Sequence, residues 1–314
     1  MEIRPYTPGD ANAWNEFVAR SKNGTFLFNR NYMDYHADRF KDCSLMVYDS
    51  KGRLSALFPA NRNGDTVHSH QGLTYGGLVM DNRTSGAGDN SPLNILEMIA
   101  ERLRKDGVKA LYYKPVPHIY HRQPAEEDLY ALWRMGAHLD IRNLSTTINL
   151  ADPIKPSKAY NWAITKCHRN KILVKESNDA SLLWPIITRN LKARHNASPV
   201  HSTNEIQLLH DRFPSNIKLF IASIDNEIIG GFVIFICGKT LHLQYAGSND
   251  RGKQFFAEYA ILNHILTTET QGVKYFDFGI SNENRGLYLN PGLLLHKEIF
   301  GGRSIVYDTY RLDL

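Results

Sequence analysis

Near the end of the chain, Phe276-Asp277-Phe278-Gly279-Ile280-Ser281-Asn282-Glu283 leads through Leu289-Asn290-Pro291-Gly292-Leu293 into His296-Lys297-Glu298-Ile299-Phe300-Gly301-Gly302-Arg303. The pattern reads as a strand ending in small and polar residues, then an Asn-Pro-Gly turn, then a short segment that presents Lys297 ahead of a Gly-Gly strand start. Asp277, Glu283 and Lys297 therefore fall at strand ends and turns rather than along one helix face. Carboxylates and an ammonium placed so can move a proton or steady a developing charge. Taken singly, each also fits a turn or a surface ion pair.

A second group precedes a helical pattern: Gly247-Ser248-Asn249-Asp250-Arg251-Gly252-Lys253-Gln254. A helix start offers N–H groups to phosphates; Gly252 would let the backbone come close, and Arg251 and Lys253 would add charge. A solvated turn is the alternative. Histidines form a third group. His68 and His70 make an H-x-H pair, and His118 and His121 sit in a Pro-rich loop after a strand; no metal is expected, but His118 or His121 is a candidate general base. Arg194, His195 and His201 could touch an acceptor or simply be solvated. G-x-S-x-G, P-loop and H-E-x-x-H patterns do not occur.

These residues must be held by something, and the periodicities say what. Helices are expected over 11–20, 31–40, 94–105, 205–212 and 258–269, with strands over 44–48, 53–59, 68–79, 109–113, 219–224, 228–237, 240–247 and 273–278. Two stretches run in one order of hairpin, glycine-broken strand, helix and strand, the last preceded by Gly107-Val108-Lys109 in one and Gly272-Val273-Lys274 in the other. This reads as an internal duplication of a β-β-β-α-β unit. Pro153 and Pro156 punctuate the join, giving domains 1–152 and 153–314 in an α/β (α+β) protein.

At 314 residues, two domains of about 150 are the ordinary expectation. The net charge of +5 favours an anionic ligand and is too small to point to DNA. Three scattered cysteines exclude a disulfide scaffold and a thiolate metal site. The start, Met1-Glu2-Ile3-Arg4-Pro5, has no signal-peptide pattern, and apolar runs stay short of the ~20 residues of a membrane span. A soluble cytoplasmic protein without an integral membrane segment is expected.

The tail motif F-D-F-G-I-S-x-E-x-x-G-x-x-L-N-x-G-L-x-x-x-K-E-x-F-G-G-R resembles the C-terminal signature of the FemAB-like branch of the GNAT acyltransferase superfamily. The basic segment 160–176, with Lys166-Cys167-His168-Arg169-Asn170-Lys171-Ile172, resembles the R-x-x-I helix leading into that family's second domain. Thr74-Tyr75-Gly76-Gly77 resembles its first-domain strand motif. The likeness runs from about residue 14 to 303 and is most specific in the last 40 residues.

The resemblance implies two tandem GNAT-like domains, each a mixed, mostly antiparallel sheet flanked by helices. It implies an acyl or aminoacyl group moved directly from an activated donor to an amine or hydroxyl on a nucleotide-sugar or other cell-envelope glycan precursor. Lys297, with Phe300, matches a lysine that steadies the donor or the oxyanion; a donor of that kind is worth ~3–4 kcal/mol. Arg169 and Lys166 match an acceptor-phosphate contact. Tyr75, Gly76, Tyr245, Ser281 and Asn290 fall on the substrate side, and Gly247, Ser248, Arg251, Gly252 and Lys253 on the donor's pyrophosphate loop. That loop has one glycine where the family's Q/R-x-x-G-x-G/A has two. Nothing between residues 179 and 218 has the length of the helical arm of tRNA-using relatives, which favours acyl-CoA over a tRNA donor. The alternative is a ligand-binding or scaffold protein that kept the fold and lost its donor site.

Overall fold

Apolar runs bounded by turn residues dictate the hairpins of the second half. Ile217–Ile224 meets Asp225-Asn226, both at positive φ (50° and 66°), and returns as Glu227–Cys237. Two left-handed residues in a row match the right-handed twist of the flanking strands, and Asp and Asn tolerate that backbone. The computed structural model spans residues 1–314 and describes all but Ser85 and Asn196, together with the side chains of Arg194 and His195. Among the described residues, no helix is long and apolar enough to cross a membrane.

The chain divides into two compact units, each assembled from separate stretches. The second comprises Leu144–Glu283 and Leu289–Ile305. Its strands lie in the order Leu173–Ser177, Ile217–Ile224, Glu227–Cys237, Thr240–Ser248, Tyr275–Ile280 and then the end of His138–Asn149. All neighbours are antiparallel except Thr240–Ser248 with Tyr275–Ile280, which run parallel. A parallel pair needs a crossover, and the Ala257–Thr268 helix supplies it, burying Ala257, Ile261, Leu262 and Ile265 at i, i+4, i+5 and i+8. They pack with Phe220, Phe232, Phe276 and Phe278 into one core.

The first unit comprises Met1–Asn143, Asn284–Tyr288 and Val306–Leu314. Glu2–Pro5, Leu45–Tyr48, Leu54–Phe58 and Val79–Met80 form an antiparallel sheet. Thr66–His68 runs parallel to Ala110–Tyr113, joined by the Pro92–Lys105 helix, whose Ile95, Leu96, Ile99 and Leu103 face the core. Ser91 caps that helix through Asn94 N, and Gly107 ends it at φ 74°.

The duplication has a sharp structural form. Thr66-Val67-His68 pairs with Ala110-Leu111-Tyr112, and Thr240-Leu241-His242 pairs with Tyr275-Phe276-Asp277, in the same parallel register. Lys109 N donates to Asp65 O at 2.8 Å, and Lys274 N to Lys239 O at 2.8 Å.

Three expected elements differ. The helix expected over 31–40 shrinks to Arg30–Met33 and a 3-10 turn, Asp34–His36. The His36 ring takes the Met33 carbonyl at 2.5 Å, so Ala37 N turns to Asp34 O instead of completing an α-turn. The strand expected over 68–79 ends at His68, because His70 (φ 81°) and Gly77 (φ 80°) break the extended backbone. The basic segment 160–176 is not one helix: Lys158–Arg169 ends at Asn170, Lys171 sits at φ 52°, and Leu173–Ser177 is an edge strand.

Candidate active site

In the second unit, two parallel strands start together and part. Their ladder holds only three pairs, Thr240↔Tyr275, Leu241↔Phe276 and His242↔Asp277. Past that point each strand carries an extra residue on its far side. Ile234↔Leu243 is followed by Val233↔Tyr245, leaving Gln244 unmatched, and Asp277↔Thr147 is followed by Ile280↔Ser145, so Phe278 and Gly279 stand opposite Thr146 alone. Bulges bend and twist the strand that carries them, and the parallel ladder ends where these two begin. Gly279 takes φ 75°, a conformation that L side chains resist. The result is a fork with His242 and Asp277 at its base. Such openings at strand C-terminal ends are where α/β sheets bind ligands.

Asp277 is wholly buried. A buried carboxylate must be hydrogen-bonded, and three groups do it. Ser145 Oγ (2.6 Å) and Thr147 Oγ1 (3.0 Å) donate to Oδ1, and His242 Nδ1 donates to Oδ2 at 2.7 Å. About a tenth of the His242 side chain reaches solvent.

Lys297 comes to the same place from the Pro291–Ile299 helix and is itself buried. Its Nζ donates to Gly279 O (2.7 Å), Ile280 O (2.8 Å) and Ser281 Oγ (3.0 Å). An ammonium has three N–H groups, so this one pins the left-handed bend of the fork. Burial pushes its pKa down to about 8, and the charge of Asp277 pulls weakly the other way. Asn290 completes the arrangement. Its N donates to Ser281 O at 2.9 Å, its Oδ1 caps the helix through Leu293 N at 3.0 Å, and its Nδ2 donates to Glu283 Oε1 at 3.0 Å. Asp277, Ser281, Glu283, Asn290 and Lys297 are thus brought together.

The other expected site residues lie elsewhere. Phe300 is core, stacked on Phe278 at 5.6 Å and tilted against Tyr259 at 4.7 Å. The Tyr245 hydroxyl shares a 2.6 Å hydrogen bond with His201 Nδ1, and its ring meets Trp184 edge-on at 5.1 Å. Gly247 lies against Ile187 and Asn190, and Ser248 Oγ donates to Glu258 at 2.9 Å. Along the loop, Asn249 Oδ1 already accepts from Gly252 N at 2.7 Å, Arg251 pairs with Asp225 and Glu227, and Lys253 pairs with Asp250. A Cβ on Gly252 would sit 2.0 Å from Ile229 O, so the glycine there lets helix and strand backbones touch.

Arg169 and Lys166 are exposed on the last turn of the Lys158–Arg169 helix, with Lys166 Nζ over the Trp162 ring at 4.2 Å. In the first unit, Tyr75 is buried with its hydroxyl on Thr25 Oγ1 at 3.0 Å, and a Cβ on Gly76 would fall 1.5 Å from Ser69 O. His118 is exposed at the start of a 3-10 turn, and His121 Nε2 bonds Val116 O at 2.8 Å. His68 stacks on Tyr112, and burial pushes the His70 pKa down to about 3. Among the described residues, no group of three or more His, Cys, Asp or Glu is arranged for a metal. The side chains of Arg194 and His195 lie outside the described residues.

Sequence reasoning missed His242, Ser145 and Thr147. The signal for His242 was present: T-V-H and T-L-H occupy one position in the two repeats. Ser145 and Thr147 lie in an alternating strand, and only the sheet order shows that they face Asp277.

Residues 170–285, which contain the base of the fork, match the family described as acetyltransferase (GNAT) domain. The match covers just over a third of the chain. The whole chain shares its fold with FemX (TM-score 0.69, 10% identity, covering 100% of this chain and 98% of that one). It also resembles the C-terminal domain of a putative lysylphosphatidylglycerol synthetase from Agrobacterium fabrum (TM-score 0.61, 13% identity, 97% and 92% covered). A tandem GNAT protein from the clavulanic acid biosynthesis pathway is a third likeness (TM-score 0.53, 11% identity, 99% and 98% covered). The fold is the one these tandem GNAT-type structures share, with mixed sheets flanked by helices. No protein of curated function matches the sequence.

Proposed function

We propose that the protein moves an acyl or aminoacyl group from an activated donor, preferably an acyl-CoA, to an amine or hydroxyl of a cell-envelope glycan or nucleotide-sugar precursor. The observation that supports this most is the fork of the GNAT-matched segment, with a buried carboxylate at its base and a buried ammonium fastened to its bent edge. GNAT-type transfer is a direct attack of the acceptor on a bound thioester, so the protein's contribution is position and fixed charge. Lys297 supplies the charge. Its longest hydrogen bond, to Ser281 Oγ, is the one it would give up to a developing oxyanion. Asn290 and Glu283 hold the helix that carries it.

Arg169 and Lys166 are proposed to hold an acceptor phosphate, both being exposed on the last turn of their helix. Arg251 and Lys253 would meet donor phosphates by leaving their exposed ion pairs, which solvent and salt already weaken. The fold shared with a putative lysylphosphatidylglycerol synthetase keeps an aminoacyl donor within the reading. Cytoplasmic placement is part of the same proposal.

A second reading, a ligand-binding protein without catalysis, rests on the loop 247–254, whose polar groups named above all have partners within the protein. A thermal-shift titration with acetyl-CoA, longer acyl-CoAs and nucleotide sugars, followed by thiol release with candidate amines, separates the two. A saturable shift and thiol release support the transferase. No shift from any donor supports the second reading. Within the transferase, Lys297→Met should lower turnover about 100-fold or more while the donor shift persists; unaltered turnover would remove the role given to that lysine.

A further inference from the structure

Three features place a proton acceptor at the base of the fork. His242 occupies the last rung of the parallel ladder, where the strands separate. Its Nδ1–H is committed to Asp277 Oδ2 at 2.7 Å, and that carboxylate is itself fixed by Ser145 and Thr147 on the other oxygen. In a neutral imidazole with its proton on Nδ1, the second nitrogen, Nε2, is the basic one. The ring also reaches solvent with a tenth of its surface, whereas Asp277 reaches none. A bare buried carboxylate could not exchange a proton with a substrate; a histidine between it and the opening can. Gly279 marks how near the bent edge runs: a Cβ there would lie 3.5 Å from His242 Cε1, ordinary contact distance.

We infer that His242 is the general base of the transfer and Asp277 its positioning residue, an inference that rests on the acyltransferase reading above. The acceptor's neutral amine nitrogen attacks the thioester carbonyl carbon, and a C–N bond forms as the C=O pair moves to oxygen. His242 Nε2 takes the proton from that nitrogen. The pair returns, the C–S bond breaks with its electrons on sulfur, and the imidazolium returns the proton to the leaving thiolate. Amide and free thiol are the products, and His242 ends neutral. A hydroxyl acceptor follows the same path to an ester.

The first unit shows what the same fork looks like without this chemistry. His68 stands on the matching rung, but its partner there is the Tyr112 ring, stacked at 4.8 Å. The opening above it is filled by residues 69–76: Ser69 N donates to Tyr112 O, Lys114 N to Ser69 Oγ, and Gly76 N to Lys114 O, at 2.8–2.9 Å. The base and the opening are lost together.

The test uses the full chain. His242→Ala should cut thiol release from acetyl-CoA about 100-fold or more, leave the acetyl-CoA dissociation constant within about threefold, and recover part of its rate on addition of imidazole. A merely structural histidine would not be rescued. Histidine 15N shifts, with His242 assigned through the variant, should show Nδ1 protonated and Nε2 bare; Asp277→Asn, whose amide donates to Nδ1, should reverse the tautomer. Undiminished turnover in His242→Ala, or a bare Nδ1 in the native protein, would overturn the inference. Absence of acetyl-CoA binding and thiol release in the native protein would instead count against the acyltransferase reading, and the tautomer would still decide the placement of His242.

Discussion

His242 and Asp277 are partners twice: they face each other as the final pair of the parallel ladder, and a 2.7 Å hydrogen bond joins their side chains. Backbone register and side-chain chemistry meet at one point. The bulges that follow on both strands open the sheet just there.

The two forks should therefore behave differently under the same substitution. His68→Gln is expected to leave acyl transfer within about a factor of three of the native rate, because His68 stacks on Tyr112 and, among the described residues, no carboxylate bonds its ring. Steady-state thiol release is the measurement. A loss like that of His242→Ala would place chemistry in the first unit.

Ser145 and Thr147 share one oxygen of a fully buried carboxylate. Hydrogen bonds to a buried charge are worth ~1.5–3 kcal/mol each. Ser145→Ala and Thr147→Val should each lower unfolding free energy by about 1–3 kcal/mol in urea. The double variant should lose more than either. Single losses near zero would mean that Asp277 is held by other groups.

Lys297 gives a pH dependence of definite sign. Its folded pKa, about 8, lies below the ordinary 10.5 because burial penalises the charge. Between those values the unfolded chain binds more protons, so this group's contribution to stability rises with pH through that window and is flat below it. Compared with Lys297→Met, the native protein should gain up to about 1.4 kcal/mol per pH unit above pH 8, read from paired urea melts. Activity should move the other way, falling as the ammonium discharges above about pH 8. A stability difference that falls over this range would contradict the buried, charged state.

Gly252→Ala tests what the glycine of the 247–254 loop is for. A Cβ 2.0 Å from Ile229 O forces backbone apart, and overpacking of this kind costs about 1–3 kcal/mol. Thermal unfolding should fall by several degrees. Unchanged stability would mean that the helix gives way freely.

Much of this was legible beforehand. The duplication, the helix end at Gly107 and the hairpin at Asp225-Asn226 follow from periodicity and turn chemistry, which are local; the second helix stops at Thr268, ahead of the expected Gln271-Gly272. The tail motif likewise put Asp277, Ser281, Asn290 and Lys297 in one group. What stayed hidden depends on sheet order. No spacing in sequence brings Ser145 to Asp277, 132 positions away, or shows that Phe300 turns inward against Phe278. The loop 247–254 has the composition of an anion site, yet Asn249 and neighbouring carboxylates take up its donors. Its residue types were visible and its partners were not.

Hydrogen exchange with and without acetyl-CoA addresses the whole proposal at once. Donor binding should slow amide exchange in residues 242–248 and 275–281 of the second unit and leave residues 66–70 and 110–114 of the first unchanged. Protection confined to the first unit's fork, or none at saturating donor, would contradict the placement of acyl transfer between His242 and Lys297.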